Sequence, residues 1–163
     1  MARDEERPKR VPRTLRVVRI AVFAALSVVG SFIHLPSPVP SVAFDSTPGF
    51  FAALYFGPLE GFCVFGIGHL ATAVVSGFPL GVLHLPIAVG LAFAGAAVGA
   101  INQRSNLIPA VAVGIAINTG LVVLAIPVLG VAATLSFTPF LFVAATVNGV
   151  VASIAYLTLR RRR

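Results

Sequence analysis

Apolar runs of 15 to 21 residues recur between residues 17 and 159, separated by short clusters of proline, glycine and polar residues. A helix needs about 20 residues to cross ~30 Å of hydrocarbon, and fewer where neighbouring helices shield it. Dividing the chain at its breaks predicts six spans, over residues 17–34, 42–56, 59–76, 82–101, 108–126 and 139–159. The first stops at Leu35-Pro36-Ser37-Pro38-Val39-Pro40, which is too rich in proline to be helical. The second is short, carries Asp45 and Pro48 near its start, and turns through Gly57-Pro58 into the third. Gly77-Phe78-Pro79-Leu80-Gly81 precedes the fourth, and the polar run Asn102-Gln103-Arg104-Ser105-Asn106 predicts a water-facing loop before the fifth. Residues 128–138 read as an apolar loop or a segment lying on the surface. The expected fold class is an all-α membrane protein of six transmembrane helices. Its membrane domain would cover residues 17–159, between a basic tail at 1–16 and another at 160–163.

Charge sharpens this picture. From Ile20 to Leu159 the only formal charges are Asp45, Glu60 and Arg104, and eleven of the twelve Lys and Arg lie outside that stretch. No water-soluble domain of this size covers itself with so few charges, so lipid must be the solvent. Basic residues in short loops mark the cytoplasmic side. With the N-terminus inside, six spans also place residues 57–60, the Arg104 loop and the basic C-terminal tail inside, whereas the reverse orientation would translocate all twelve. The expected setting is therefore the plasma membrane, with both termini cytoplasmic.

The composition, 58% hydrophobic and 10% charged with a net charge of +7, follows the same logic. The basic ends flank apolar spans, where they anchor to an anionic leaflet, and they do not imply nucleic acid; residues 1–13 read equally well as a solvated tail. Cys63 is the only cysteine, which excludes an internal disulfide and any zinc or redox site built from several cysteines. A basic run ending at Arg19 followed by residues 20–29 has the outline of a signal peptide. No A-x-A cleavage site follows, so it reads as a retained first helix.

The orientation sorts the rare polar residues by depth. His34, the 35–41 loop, Asp45, Ser46, Thr47, the stretch from Ser76 to Gly81 and His84 fall on the outer side. His69 lies seven residues before Ser76, about 10 Å down a helix, and shares a helix face with Thr72. Asn118 and Asn148 fall near the middle of their spans. The cytoplasmic half is rich in Ala, Gly and Val and carries only Glu60. This asymmetry predicts a polar pocket that opens outward above an apolar floor. Each residue also has a structural reading: Asp45 as a helix cap, the histidines as partners of neighbouring helices, the asparagines as interhelical hydrogen-bonding groups.

Three histidines without acidic partners at metal spacing argue against a metal site, and histidines at different depths argue against bis-His haem, so no cofactor is expected. No Gly-rich nucleotide loop, G-x-S-x-G or Ser-Lys or Cys-His dyad is present, which disfavours an enzyme. The chain is too short for a secondary transporter built from two inverted repeats and carries no ATPase. Six helices around an outward pocket with no engine point to a binding subunit that borrows one.

Four sequence features carry a family resemblance: Ala21-x-x-x-Ala25; Val29-Gly30-Ser31-Phe32-Ile33 before a Pro-rich loop; Phe44-Asp45-Ser46-Thr47-Pro48-Gly49-Phe50-Phe51; and Gly68-His69-Leu70-Ala71-Thr72-Ala73, continuing to Ser76-Gly77-Phe78-Pro79-Leu80-Gly81 and His84. With these the chain resembles the substrate-binding (S) components of energy-coupling factor (ECF) transporters, most closely the branch for α-ribazole, a cobalamin precursor. The likeness covers residues 21–88. It implies capture of a vitamin or vitamin precursor from outside, docking through Ala21 and Ala25 on a transmembrane coupling subunit, and release inward as two ATPase subunits hydrolyse ATP. It also implies that the loops at 35–47 and 76–84 gate the pocket, that Phe78 stacks on an aromatic ligand, and that Asp45, His69 and His84 bond its polar groups. Thr72, Ser76, Asn118 and Asn148 complete the expected substrate-binding set. The competing readings are a structural or assembly membrane protein without a small ligand, and a small channel lined by Asn118 and Asn148.

Overall fold

The computed structural model describes residues 11–33 and 43–161, and every regular element among them is helical. Six α-helices run in chain order: α1 Arg13–Ser31, α2 Thr47–Tyr55, α3 Pro58–Val75, α4 His84–Arg104, α5 Leu107–Gly120 and α6 Ile126–Arg160. Short 3-10 turns, Phe44–Ser46, Gly81–Leu83 and Leu121–Ala125, lead into α2, α4 and α6. Four stretches are long and apolar enough to cross a membrane: Arg13–Ser31, Pro58–Val75, Gly81–Arg104 and Leu107–Arg160. The last is 54 residues long, enough for two crossings. His34, the Pro-rich run and the outermost tails lie outside the described residues.

Three elements differ from the sequence reading. The second helix is only nine residues, or about 14 Å, because Pro48 fixes its first turn and Gly57 ends it in a left-handed conformation (φ 122°). Instead of facing lipid, it buries every residue from Pro48 to Leu54 among α1, α3, α4 and α6. Residues 128–138 are helical, not a loop, and belong to α6. Gly130 absorbs a local break (φ 76°, ψ 165°), and the Thr134 hydroxyl donates back to the Gly130 carbonyl at 2.8 Å. The Thr138 hydroxyl donates likewise to the Thr134 carbonyl at 2.8 Å, and Pro139 follows inside the helix. The polar run at 102–106 is mostly the last turn of α4. Asn102 is held there by donating to the Leu54 carbonyl (3.0 Å), and Asn106 caps α5 by accepting from the Ile108 amide (3.1 Å).

Lipid tails offer no hydrophobic drive for helices to associate, so contact has to come from close packing. The α3–α4 crossing shows this directly: a Cβ added at Gly61 would sit 2.7 Å from the Gly95 carbonyl oxygen and 2.6 Å from the Ala53 Cβ. The two backbones touch, and α2 presses against the same point. Around α2, Phe23, Phe51 and Tyr55 form a stacked series with ring centroids 5.2 Å apart at each step, and Phe56 meets all three edge-on. Phe50 is fully buried, edge-on to Phe65 at 4.9 Å. The half read as cytoplasmic and Ala-, Gly- and Val-rich thus also carries an aromatic layer. Below it, Arg16 of α1 pairs with the buried Glu60 of α3 at 3.2 Å, and the Arg19 guanidinium lies 4.7 Å above the Phe56 ring.

Candidate functional site

At the opposite end from Glu60 and Arg104, the C-terminus of α3 meets the starts of α2 and α4 and the end of α5. Between them lies a cavity with about 630 Å³ of empty space, its open mouth included. One wall is polar: Asp45 and Ser46 from the turn before α2, His69 from α3, His84 from α4, Asn118 from α5 and Asn148 from α6. The other wall is apolar, formed by Leu80, Ile87, Leu91, Leu121, Phe137 and Leu141 with smaller neighbours.

Hydrogen bonding separates these polar residues into two groups. Asn148 is fully engaged: its Nδ2 donates to the carbonyls of Ala43 (3.0 Å) and Ala144 (2.9 Å), and its Oδ1 accepts from the Thr47 hydroxyl (2.6 Å). It fastens the Asp45 turn to α6. Asn148→Leu is expected to lower stability by about 2–3 kcal/mol, since it removes the buried bonds that tie the Ala43 carbonyl and the Thr47 hydroxyl to α6. Denaturation of the detergent-solubilised protein would show this as a lower midpoint; an unchanged midpoint would contradict the clamp. Asn118, also buried, faces the cavity with no side-chain partner among the described residues. Asp45 accepts from the Ser46 hydroxyl at 3.3 Å, and the Thr72 side chain lies beside it.

The two histidines form a pair. His84 is almost fully buried, its Nε2 accepting from the Leu80 amide at 3.3 Å and its Nδ1 lying 3.1 Å from His69 Nε2. Their rings are 5.2 Å apart and tilted by 42°. One nitrogen of each ring faces the other, and among the described residues no group of three His, Cys, Asp or Glu could hold a metal. Leu80 belongs to a turn in which Gly77, Phe78 and Gly81 all have positive φ (74°, 53° and 55°). Phe78 is a non-glycine residue in this strained region. Its amide donates to the Ala73 carbonyl at 2.8 Å, and its ring meets His84 edge-on at 5.7 Å.

The residues predicted for the site thus fall into three sets. Asp45, His69, His84, Asn118 and Asn148 share the cavity. Thr72 is buried near Asp45 and donates to the Gly68 carbonyl; Phe78 stands 43% exposed against His84, outside the cavity lining, and the Ser76 hydroxyl is buried without a partner in the turn. Ala21 and Ala25 lie away from the cavity, exposed on α1 beside Val22, Leu26 and Val29. The sequence reading missed the apolar wall from α6. Phe137, Leu141, Ala144, Ala145 and Asn148 recur at three- and four-residue steps, a single helical face running through Pro139. That periodicity was the available signal.

Comparison with known proteins places this geometry. No curated protein matches the chain. A solved structure, reported as the structure and mechanism of the S component of a bacterial ECF transporter, shares the fold with a TM-score of 0.64 at 21% identity, over 93% of this chain and 96% of that one. Residues 15–160 match the family described as ECF transporter, substrate-specific component. Such components are substrate-binding subunits of transporters rather than enzymes. A match over nearly the whole length of the chain establishes that it belongs to the family of ECF transporter S components.

Proposed function

We propose that this protein captures a vitamin precursor, with α-ribazole the first candidate, and delivers it to an ECF coupling subunit with two ATPases. The observation that carries this reading is the cavity's position and make-up. It opens at the end of the molecule away from the basic residues, and it holds unengaged polar groups against an apolar wall. A neutral aromatic nucleoside has matching parts, a flat apolar ring system and a hydroxyl-bearing sugar. The reading takes six crossings with both termini cytoplasmic: α2 crosses together with the described turn before it, and the 54-residue stretch over α5 and α6 crosses twice. Asp45, His69 and Asn118 then meet the ligand, with Phe78 at the mouth. The exposed Ala21 and Ala25 on α1 offer a low-relief surface for the coupling subunit, where small residues let backbones approach closely.

The test is reconstitution. Cells expressing this chain with an ECF coupling subunit and its ATPases should accumulate labelled α-ribazole, and the four proteins should co-purify. Accumulation should stop when the ATPases are inactivated. Co-purification without accumulation would reject α-ribazole and keep the class, and a chain that purified alone would reject the assembly.

A further inference from the structure

The hydrogen bonds around His84 fix where its protons sit. The Leu80 amide can only donate, so His84 Nε2 must present a lone pair to it. An imidazolium donates from both nitrogens and could not accept this bond, so the ring is neutral with its proton on Nδ1. That proton points at His69 Nε2, 3.1 Å away, which must therefore be the acceptor. A neutral His69 accepting at Nε2 carries its own proton on Nδ1. Among the described residues this nitrogen has no partner, and His69 lines the cavity. The chain of bonds runs one way, from the Leu80 amide through His84 to a free N–H on His69.

We infer that His84 is a positioning residue that locks His69 as a hydrogen-bond donor, so that the ligand atom lodged against His69 is an uncharged acceptor, such as a carbonyl oxygen or an unprotonated ring nitrogen. The ligand clause rests on the proposed capture function; the lock does not. Charge supports the uncharged class. No Lys or Arg lies between Arg19 and Arg104, and among the described residues none lines this cavity, while Asp45 does. A carboxylate or phosphate in contact with His69 would have no counter-ion and would face an acidic neighbour. The lock's far end is the Gly77–Gly81 turn, so its rigidity comes from backbone rather than from another mobile side chain.

Nitrogen NMR on the full-length protein in lipid nanodiscs, labelled with 15N-histidine, tests the lock directly. With only three histidines in the chain, variants of His34 and His84 complete the assignment. The expected spectrum has protonated Nδ1 and bare Nε2 on both His69 and His84; a protonated Nε2 on His84 would overturn the proposal. In His84→Asn, the amide nitrogen replaces the Nδ1–H donor, so His69 should keep its Nδ1–H form. In His84→Ala, His69 should become a mixture of tautomers, and an unchanged His69 spectrum would contradict the lock. Calorimetry with α-ribazole supplies the functional readout: a loss of about tenfold or more for His84→Ala, corresponding to one hydrogen bond, and less than about threefold for His84→Asn. Equal losses in the two variants would mean that His84 serves only the turn. Should α-ribazole fail to bind the unmodified protein, the proposed substrate falls, and the nitrogen spectra still decide the lock.

Discussion

Gly95→Val is expected to prevent the protein from reaching its folded state in membranes. A Cβ at Gly95 would sit 2.7 Å from the Phe65 ring and press directly on the backbone of Gly61. No rotamer relieves contact with backbone, so α3 and α4 would have to separate. Separation would also loosen α2, which packs between them. Overpacking a well-filled core costs about 1–3 kcal/mol. Forcing apart a backbone-to-backbone crossing should exceed about 3 kcal/mol, a large share of a domain's total stability. Gly120→Ala is the matched control. Gly120 is helical with open space where a Cβ would go, so the change should be neutral or slightly stabilising. Yield of monodisperse protein in mild detergent, followed by denaturant titration, would separate the two. A Gly95→Val protein that behaves like the parent would show that the crossing is not tight.

The second large effect is expected at Asp45. Its carboxyl group lies in the cavity at the start of α2, held by Ser46, and it is the only acidic group among the residues lining the space. A hydrogen bond to a charged group contributes about 1.5–3 kcal/mol, so Asp45→Ala should weaken ligand binding by roughly ten- to a hundredfold. Asp45→Asn keeps the shape and part of the bonding and should lose less. His69→Ala should be comparable to Asp45→Ala. Isothermal calorimetry with α-ribazole would measure all three. Unchanged affinity in both alanine variants would move the binding site elsewhere.

What the sequence made legible was governed by solvent. A stretch with three formal charges in 140 residues cannot be dissolved in water, so membrane residence and helical class follow from composition alone. The Asp45, His69 and His84 cluster was legible because polar residues at membrane depth are costly and rarely incidental. Hydropathy does not distinguish lipid from protein as a neighbour, so it did not show that α2 is only nine residues long and buried among other helices. The same blindness hid residues 128–138. Proline and glycine mark breaks in water, yet α6 bends at Gly130 and continues past Pro139, as helices in lipid do where neighbours shelter the freed backbone groups. The distinction between Asn118 and Asn148 depends on who their partners are. Thr47 and Asn148 are 101 residues apart, a pairing no local pattern encodes.

That long separation also sets a timetable for biogenesis. Residue 47 leaves the ribosome roughly 5 to 20 s before residue 148 at typical synthesis rates of about 5–20 residues per second. For that interval α2 cannot close its last contacts, because the helix that clamps it does not yet exist. Too short to insert alone, α2 must wait against α1 and α3 as an unfinished element exposed to membrane quality control. Slow decoding or truncation anywhere before Asn148 would prolong that exposure, so abundance in the cell should depend on the last quarter of the chain more than its share of the binding site suggests.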